Sequence, residues 1–133
     1  MGDFHRCHDL RVRFAEVDAQ SVVFNSRYLE YADIVLTEFM RDRGIPVTGP
    51  DVFEVHVVQA NVHYKSPLRF DEQVSGWARV ARIGRSSMAF EVELRVEGEE
   101  EARAAITLSY VHVDIATGRP AEISAEMRAR LLG

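Results

Sequence analysis

Apolar side chains crowd one stretch of this chain at helical spacing. Tyr28, Leu29, Tyr31, Ala32, Ile34, Val35, Leu36, Phe39 and Met40 leave only a narrow polar stripe at Glu30, Asp33, Thr37 and Arg41. Such a segment reads as a helix that must be buried. Asn25 and Ser26 are good caps for its start, and Gly44 followed by Pro46 ends it. The helix is then about sixteen residues and roughly 24 Å long.

The rest of the chain alternates with the period of strands. Phe53 to Tyr64 reads as one long strand whose apolar parity switches near Val57, as a bulge would make it do. After a turn at Lys65-Ser-Pro67, a second strand runs from Gln73 to Ile83, with Val74, Ala78 and Val80 on one face and Trp77 on the other. Past the Gly84-Arg85-Ser86 turn, Met88, Phe90, Val92, Leu94 and Val96 alternate strictly with polar or small residues, the pattern of a half-buried antiparallel strand. Glu97-Gly98-Glu99 makes a hairpin tip, and Ala102, Ala104, Ile106, Leu108 and Tyr110 line the returning strand. A strand over Leu10 to Phe14 precedes the helix. A loop from Asp114 to Pro120 leads to a short helix with Ile123, Met127 and Leu131 on one face. These elements predict an α+β domain in which an antiparallel sheet curls around one long central helix. Its edges and one poorly covered face predict association of copies, with two sheets joined or packed.

The 133 residues amount to one domain, spanning 1–133. No run reaches the roughly 18 apolar residues of a membrane span, and the N-terminal stretch lacks a signal peptide's apolar core. The lone Cys7, placed in a frayed N-terminal stretch, has no disulfide partner and reads as non-catalytic, so the expected compartment is the cytoplasm. A net charge of −5 disfavours nucleic acid as a partner. Lys65 to Arg85 breaks the trend at +3, leaving −8 elsewhere. Such an excess suits a small phosphorylated ligand, although on charge alone ordinary strand-surface arginines are the better explanation.

Asp18 stands a fixed short loop ahead of the buried helix. A helix start offers unpaired N–H groups that can polarise a carbonyl, while a carboxylate can attack that carbonyl or activate water. A loop aspartate taken alone is more often a turn or capping residue, and Asn25 is as readily a simple cap. The spacing to an apolar helix tips the reading of Asp18 toward chemistry. Tyr28 and Tyr31 read as core or inter-chain packing, with Tyr28 also a candidate border of a substrate pocket. His5, Cys7 and His8 lack a fourth partner at metal-ligand spacing.

Three segments together resemble the hotdog-fold acyl-CoA thioesterases, in particular the hydroxybenzoyl-CoA thioesterase-like branch. They are Arg13-Phe-Ala-Glu-Val-Asp18 with Val22-Val23 and Tyr28-Leu-Glu-Tyr31; Ala60-Asn-Val-His-Tyr-Lys-Ser-Pro-Leu-Arg-Phe-Asp-Glu72; and Arg82-Ile-Gly-Arg-Ser-Ser87. The resemblance covers about Leu10 to Val113. It implies that Asp18 is general base or nucleophile and that the main-chain N–H at Asn25 polarises the thioester carbonyl. It also implies that Arg85, Ser86 and Ser87 seat the nucleotide end of coenzyme A. A second subunit would complete the site, in a homodimer or homotetramer.

Three positions depart from the family pattern: Phe14 where many members carry tyrosine, Asn25 where many carry histidine, and Ser21 in place of a common glycine. A mechanism helped by tyrosine or histidine is thereby put in question. The expected activity is hydrolysis of acyl-CoA to free acid and coenzyme A, needing neither metal nor cofactor. One alternative is a hotdog hydratase or dehydratase, disfavoured because no histidine lies near the helix start. The other is a protein that binds acyl-CoA without turning it over.

Overall fold

The structure, a computed structural model, describes residues 2–133. In chain order the elements are β1 (His5–Arg11), a single 3-10 turn (Phe14–Glu16), α1 (Arg27–Asp42), β2 (Val55–Tyr64), β3 (Gln73–Ile83), β4 (Ser87–Val96), β5 (Ala104–His112) and α2 (Ala125–Leu132). The five strands form one sheet in the order β1-β3-β4-β5-β2, every neighbouring pair antiparallel. Because β1 and β2 occupy opposite edges, the chain between them must cross the sheet, and α1 is that crossing. This is the expected antiparallel sheet around one long helix.

The inner face follows from strand alternation. Phe90 sits between Val80 and Leu108, and Val92 between Ala78 and Ile106, so the core is a ladder of facing apolar side chains. Helix α1 adds Tyr28, Tyr31, Ala32, Val35, Leu36, Phe39 and Met40, all buried, and packs most closely on β1 and β3. Phe39 meets Phe90 edge to face at 5.6 Å between ring centroids. Directly beneath Val35 lies Gly76 of β3, where a Cβ would overlap the valine side chain. That missing methyl group lets helix and sheet approach closely.

Several expectations are corrected. The first strand is His5–Arg11, not Leu10–Phe14; Cys7 sits in it at the bulge between Arg6 and His8 and packs against the core, so the stretch is not frayed. Burial pushes the Cys7 thiol up to about 11. The central helix is buried on one side only, with Leu29 and Ile34 exposed. Ser26 occupies the cap position, but its side chain caps nothing. Strand β2 begins at Val55 with its bulge between Val57 and Gln59, as its parity switch predicts, yet most of it is exposed. It is a free edge, with Val57 and Val58 55% and 62% exposed. Ile123 is buried ahead of α2 instead of within it.

The convex face holds the single tryptophan. Trp77 packs beneath the Arg95 guanidinium, 4.2 Å from the ring centroid, and donates from Nε1 to Ser75 Oγ.

Gly76→Ala should destabilise the fold by about 1–3 kcal/mol through overpacking against Val35. Urea unfolding should show this as a lower midpoint with an unchanged slope.

Candidate active site

Asp18 sits at the neck of a miniature hairpin. The Asp18 amide donates to Val22 O at 2.9 Å, Val17 bridges Val23, and the Phe24 amide donates to Glu16 O at 2.9 Å. At the tip, Asp18 Oδ1 accepts from the Gln20 amide at 2.8 Å, and Ser21 takes a positive φ of 63°. The left-handed conformation at Ser21 explains why glycine suits that position. The hairpin docks on the turn before β3: the Val23 amide donates to Leu68 O, and the Phe70 amide to Ser21 O.

That hairpin runs straight into α1. Asn25 O accepts from the Tyr28 amide and from the Tyr64 hydroxyl, the latter at 2.9 Å, so the end of β2 pins the helix start. The amides of Asn25 and Ser26 donate to no protein acceptor among the described residues, and the Asn25 side chain makes no hydrogen bond. Two N–H groups therefore stand open at the positive end of α1, joined to Asp18 by six intervening residues. Asp18 itself is exposed on a single chain.

The turn beneath is braced by Arg103, which donates to Pro67 O at 2.6 Å and pairs with both Glu72 and Glu99. Tyr28 is buried, and its hydroxyl accepts from the Leu68 amide at 3.1 Å. Its ring meets Tyr64 edge to face at 4.8 Å. Of the two expectations for Tyr28, core packing and a border of the pocket, a single chain shows the first: it is a core residue with its polar atom committed. Glu16 closes the arrangement. Its Oε1 accepts from Tyr31 Oη and from the Arg13 amide, both at 2.8 Å. Burial, and after it the bond to Glu16, push the Tyr31 phenol well above its ordinary range.

Arg85, Ser86 and Ser87 are not brought to Asp18 within one chain. They follow the end of β3, whereas the Asp18 hairpin docks ahead of its start, and an eleven-residue strand spans about 36 Å. Arg85 and Ser86 carbonyls are occupied by the Ile123 and His112 amides. A cavity of about 270 Å³ lies elsewhere, between the C-terminal half of α1, the connection after it and the start of β2. Leu36, Met40, Ile45 and Val57 supply its apolar wall, and Asp33, Thr37 and Tyr110 its polar groups.

Sequence reasoning named Asp18 and Asn25 but not Glu16, Tyr64 or Arg103. Tyr64 ends β2 on the parity of Val62 and stays half exposed, and nothing in the pattern marks its bond to a carbonyl 39 residues away. Among the described residues, no three His, Cys, Asp or Glu side chains converge to hold a metal ion, and no helix is long and apolar enough to cross a membrane.

Comparison with known proteins gives this geometry a setting. A protein of Aquifex aeolicus (strain VF5), named provisionally as an esterase, is 33% identical over 103 residues, covering 76% of this chain and 66% of that protein. The chain thus spans just under two thirds of that relative's length. The crystal structure of a Pseudomonas aeruginosa strain PAO1 protein is 30% identical, with a TM-score of 0.83 over 97% of this chain and 88% of that one. A gentisyl-coenzyme A thioesterase shares the fold at 21% identity, with a TM-score of 0.80 over 93% of this chain and 98% of that one. The model of the thioesterase superfamily matches residues 20–103, beginning just past Asp18 and including the Asn25 helix start, strands β2 to β4 and the turns between them. The chain belongs to the thioesterase superfamily.

Proposed function

We propose that the protein hydrolyses acyl-CoA thioesters to free acid and coenzyme A, at a site shared between two copies. The observation that carries this reading is the pair of open amides at Asn25 and Ser26, held by one short hairpin to the Asp18 carboxylate. With Asp18 as general base, water loses its proton to the carboxylate and adds to the thioester carbonyl carbon. The oxyanion takes up the helix-start N–H groups. Collapse of the tetrahedral intermediate then expels the coenzyme A thiolate, which recovers the proton from Asp18. With Asp18 as nucleophile, its oxygen adds to the same carbonyl carbon, the C–S bond breaks and the coenzyme A thiolate leaves an acyl-aspartyl anhydride, which water opens to the free acid and the Asp18 carboxylate while the thiolate takes up the proton released. A thioester is an activated acyl group, so one base and one preorganised oxyanion site suffice.

In this reading two copies build the shared site by pairing their free β2 edges. A two-fold axis makes that pairing antiparallel, which sets the Val55 end of one copy beside the Tyr64 end of the other. Tyr64 touches Asn25, and Val55 and Val57 line the cavity, so each helix start meets the cavity of the other copy. The same operation carries the Arg85 turn of the second copy to the Asp18 end of the first, two strands in from the joined edges. Nucleotide binding by Arg85, Ser86 and Ser87 then works across the pair. The exposed Leu29 and Ile34 face of α1 supplies further apolar surface for association. A cytoplasmic setting belongs to the same proposal, since the lone Cys7 suits a reducing compartment.

Asp18→Asn should lower kcat for acyl-CoA by about 10²–10⁴-fold, followed as thiol release, without changing the melting temperature. Equal turnover by mutant and wild type would remove the mechanism, and tight binding without turnover in the wild type would mark a binding protein instead. Arg85→Ala should raise KM several-fold while kcat holds, because the nucleotide lies far from the reacting carbonyl. Val58→Lys, a charge set on the joined edge, should convert a dimeric wild type to monomers by sedimentation and abolish turnover in the same preparation.

A further inference from the structure

Glu16 is joined to the site at both ends. Its side chain accepts from Tyr31, in the second turn of α1, and from the Arg13 amide, while its backbone carbonyl accepts from Phe24 immediately before Asn25. Two residues further on stands Asp18. Tyr31 is 2% exposed and locked in the core, so the far end of the clasp cannot drift. No cap side chain performs this service, because Ser26 bonds nothing at the helix start.

We infer that Glu16, held by Tyr31, is a positioning residue that fixes the Asp18 hairpin against α1, and so sets the carboxylate relative to the open amides of Asn25 and Ser26. The inference rests on the thioesterase reading for its purpose, and on the hydrogen bonds alone for its existence. Without the clasp, the segment from Arg13 to Asp18 keeps the short backbone ladder and the packing of Val17 on the core, but no side-chain hydrogen bond to α1. A displacement of about 1 Å at a reacting group costs about 10²-fold in rate. Gln at position 16 keeps an oxygen able to accept both donors, and thus separates the bonds from the charge.

Two measurements on the full chain test this with Tyr31→Phe, Glu16→Ala and Glu16→Gln. Native-state hydrogen exchange should be about tenfold faster at the Asp18 and Phe24 amides in the first two variants. It should be unchanged at Val92 and Ile106, and near wild type everywhere in Glu16→Gln. In acyl-CoA hydrolysis, Tyr31→Phe and Glu16→Ala should lose about 10–100-fold in kcat with KM within about threefold, and Glu16→Gln should restore most of it. Unchanged exchange at Asp18 and Phe24, or an equal rise at Val92, would overturn the clasp. Faster local exchange with kcat intact would overturn its service to the site. Should the wild type hydrolyse no acyl-CoA, the thioesterase reading falls, while the exchange data still decide whether Glu16 holds the hairpin.

Discussion

The close seating of α1 in the curl of the sheet is the constraint from which the other features follow. Seven side chains of that helix are buried, each worth roughly 1.5–3 kcal/mol when large and fully removed from water. The approach needs a strand position without a Cβ, and Gly76 beneath Val35 supplies it. Since the strands on either side of α1 in sequence lie on opposite edges, the helix cannot shift without pulling on both. Its N-terminal end is thereby set at one rim of the sheet. A helix end at a rim, with its amides unspent, is where a ligand oxygen finds the strongest reception.

The surroundings of that helix end are polar but economical in charge. Backbone ladders, two tyrosine hydroxyls and one glutamate hold the loop and the helix start, and the braced turn beneath relies on Arg103 between two carboxylates. Asp18 spends one oxygen on its own turn and keeps the other free. A carboxylate fixed by a local Asx turn has a defined direction before any substrate arrives, which is the sense in which such a site is preorganised.

Much of the architecture was legible in the order of residues, and the reasons differ by element. Strand β3 reads from Gln73 to Ile83 and is found there; the strict alternation through Met88 to Leu94 names the inner face of β4 correctly; the parity switch at Val57 marks a real bulge. Period-two patterns are written by burial, and burial on one face is what a sheet imposes. The first strand lies earlier than its pattern predicts because β1 is at an edge, where few of its side chains are enclosed and alternation fades. For the site, Asp18 and Asn25 stand out through spacing to a helix whose own signal is strong. The Glu16–Tyr31 and Tyr64–Asn25 bonds are invisible there, since each joins positions brought together only by the crossing of α1. The distance between Asp18 and Arg85 is likewise a property of strand length, not of local pattern.

The indole on the convex face has a practical consequence. Trp77 is the single tryptophan of the chain, stacked beneath Arg95, and it occupies the side of the sheet opposite to α1. Its fluorescence therefore answers to loss of the sheet, or to anything settling on that outer surface, and stays blind to events at the helix start. An optical signal from this residue on adding ligand would report an event on that outer face, leaving catalysis to be followed by other means.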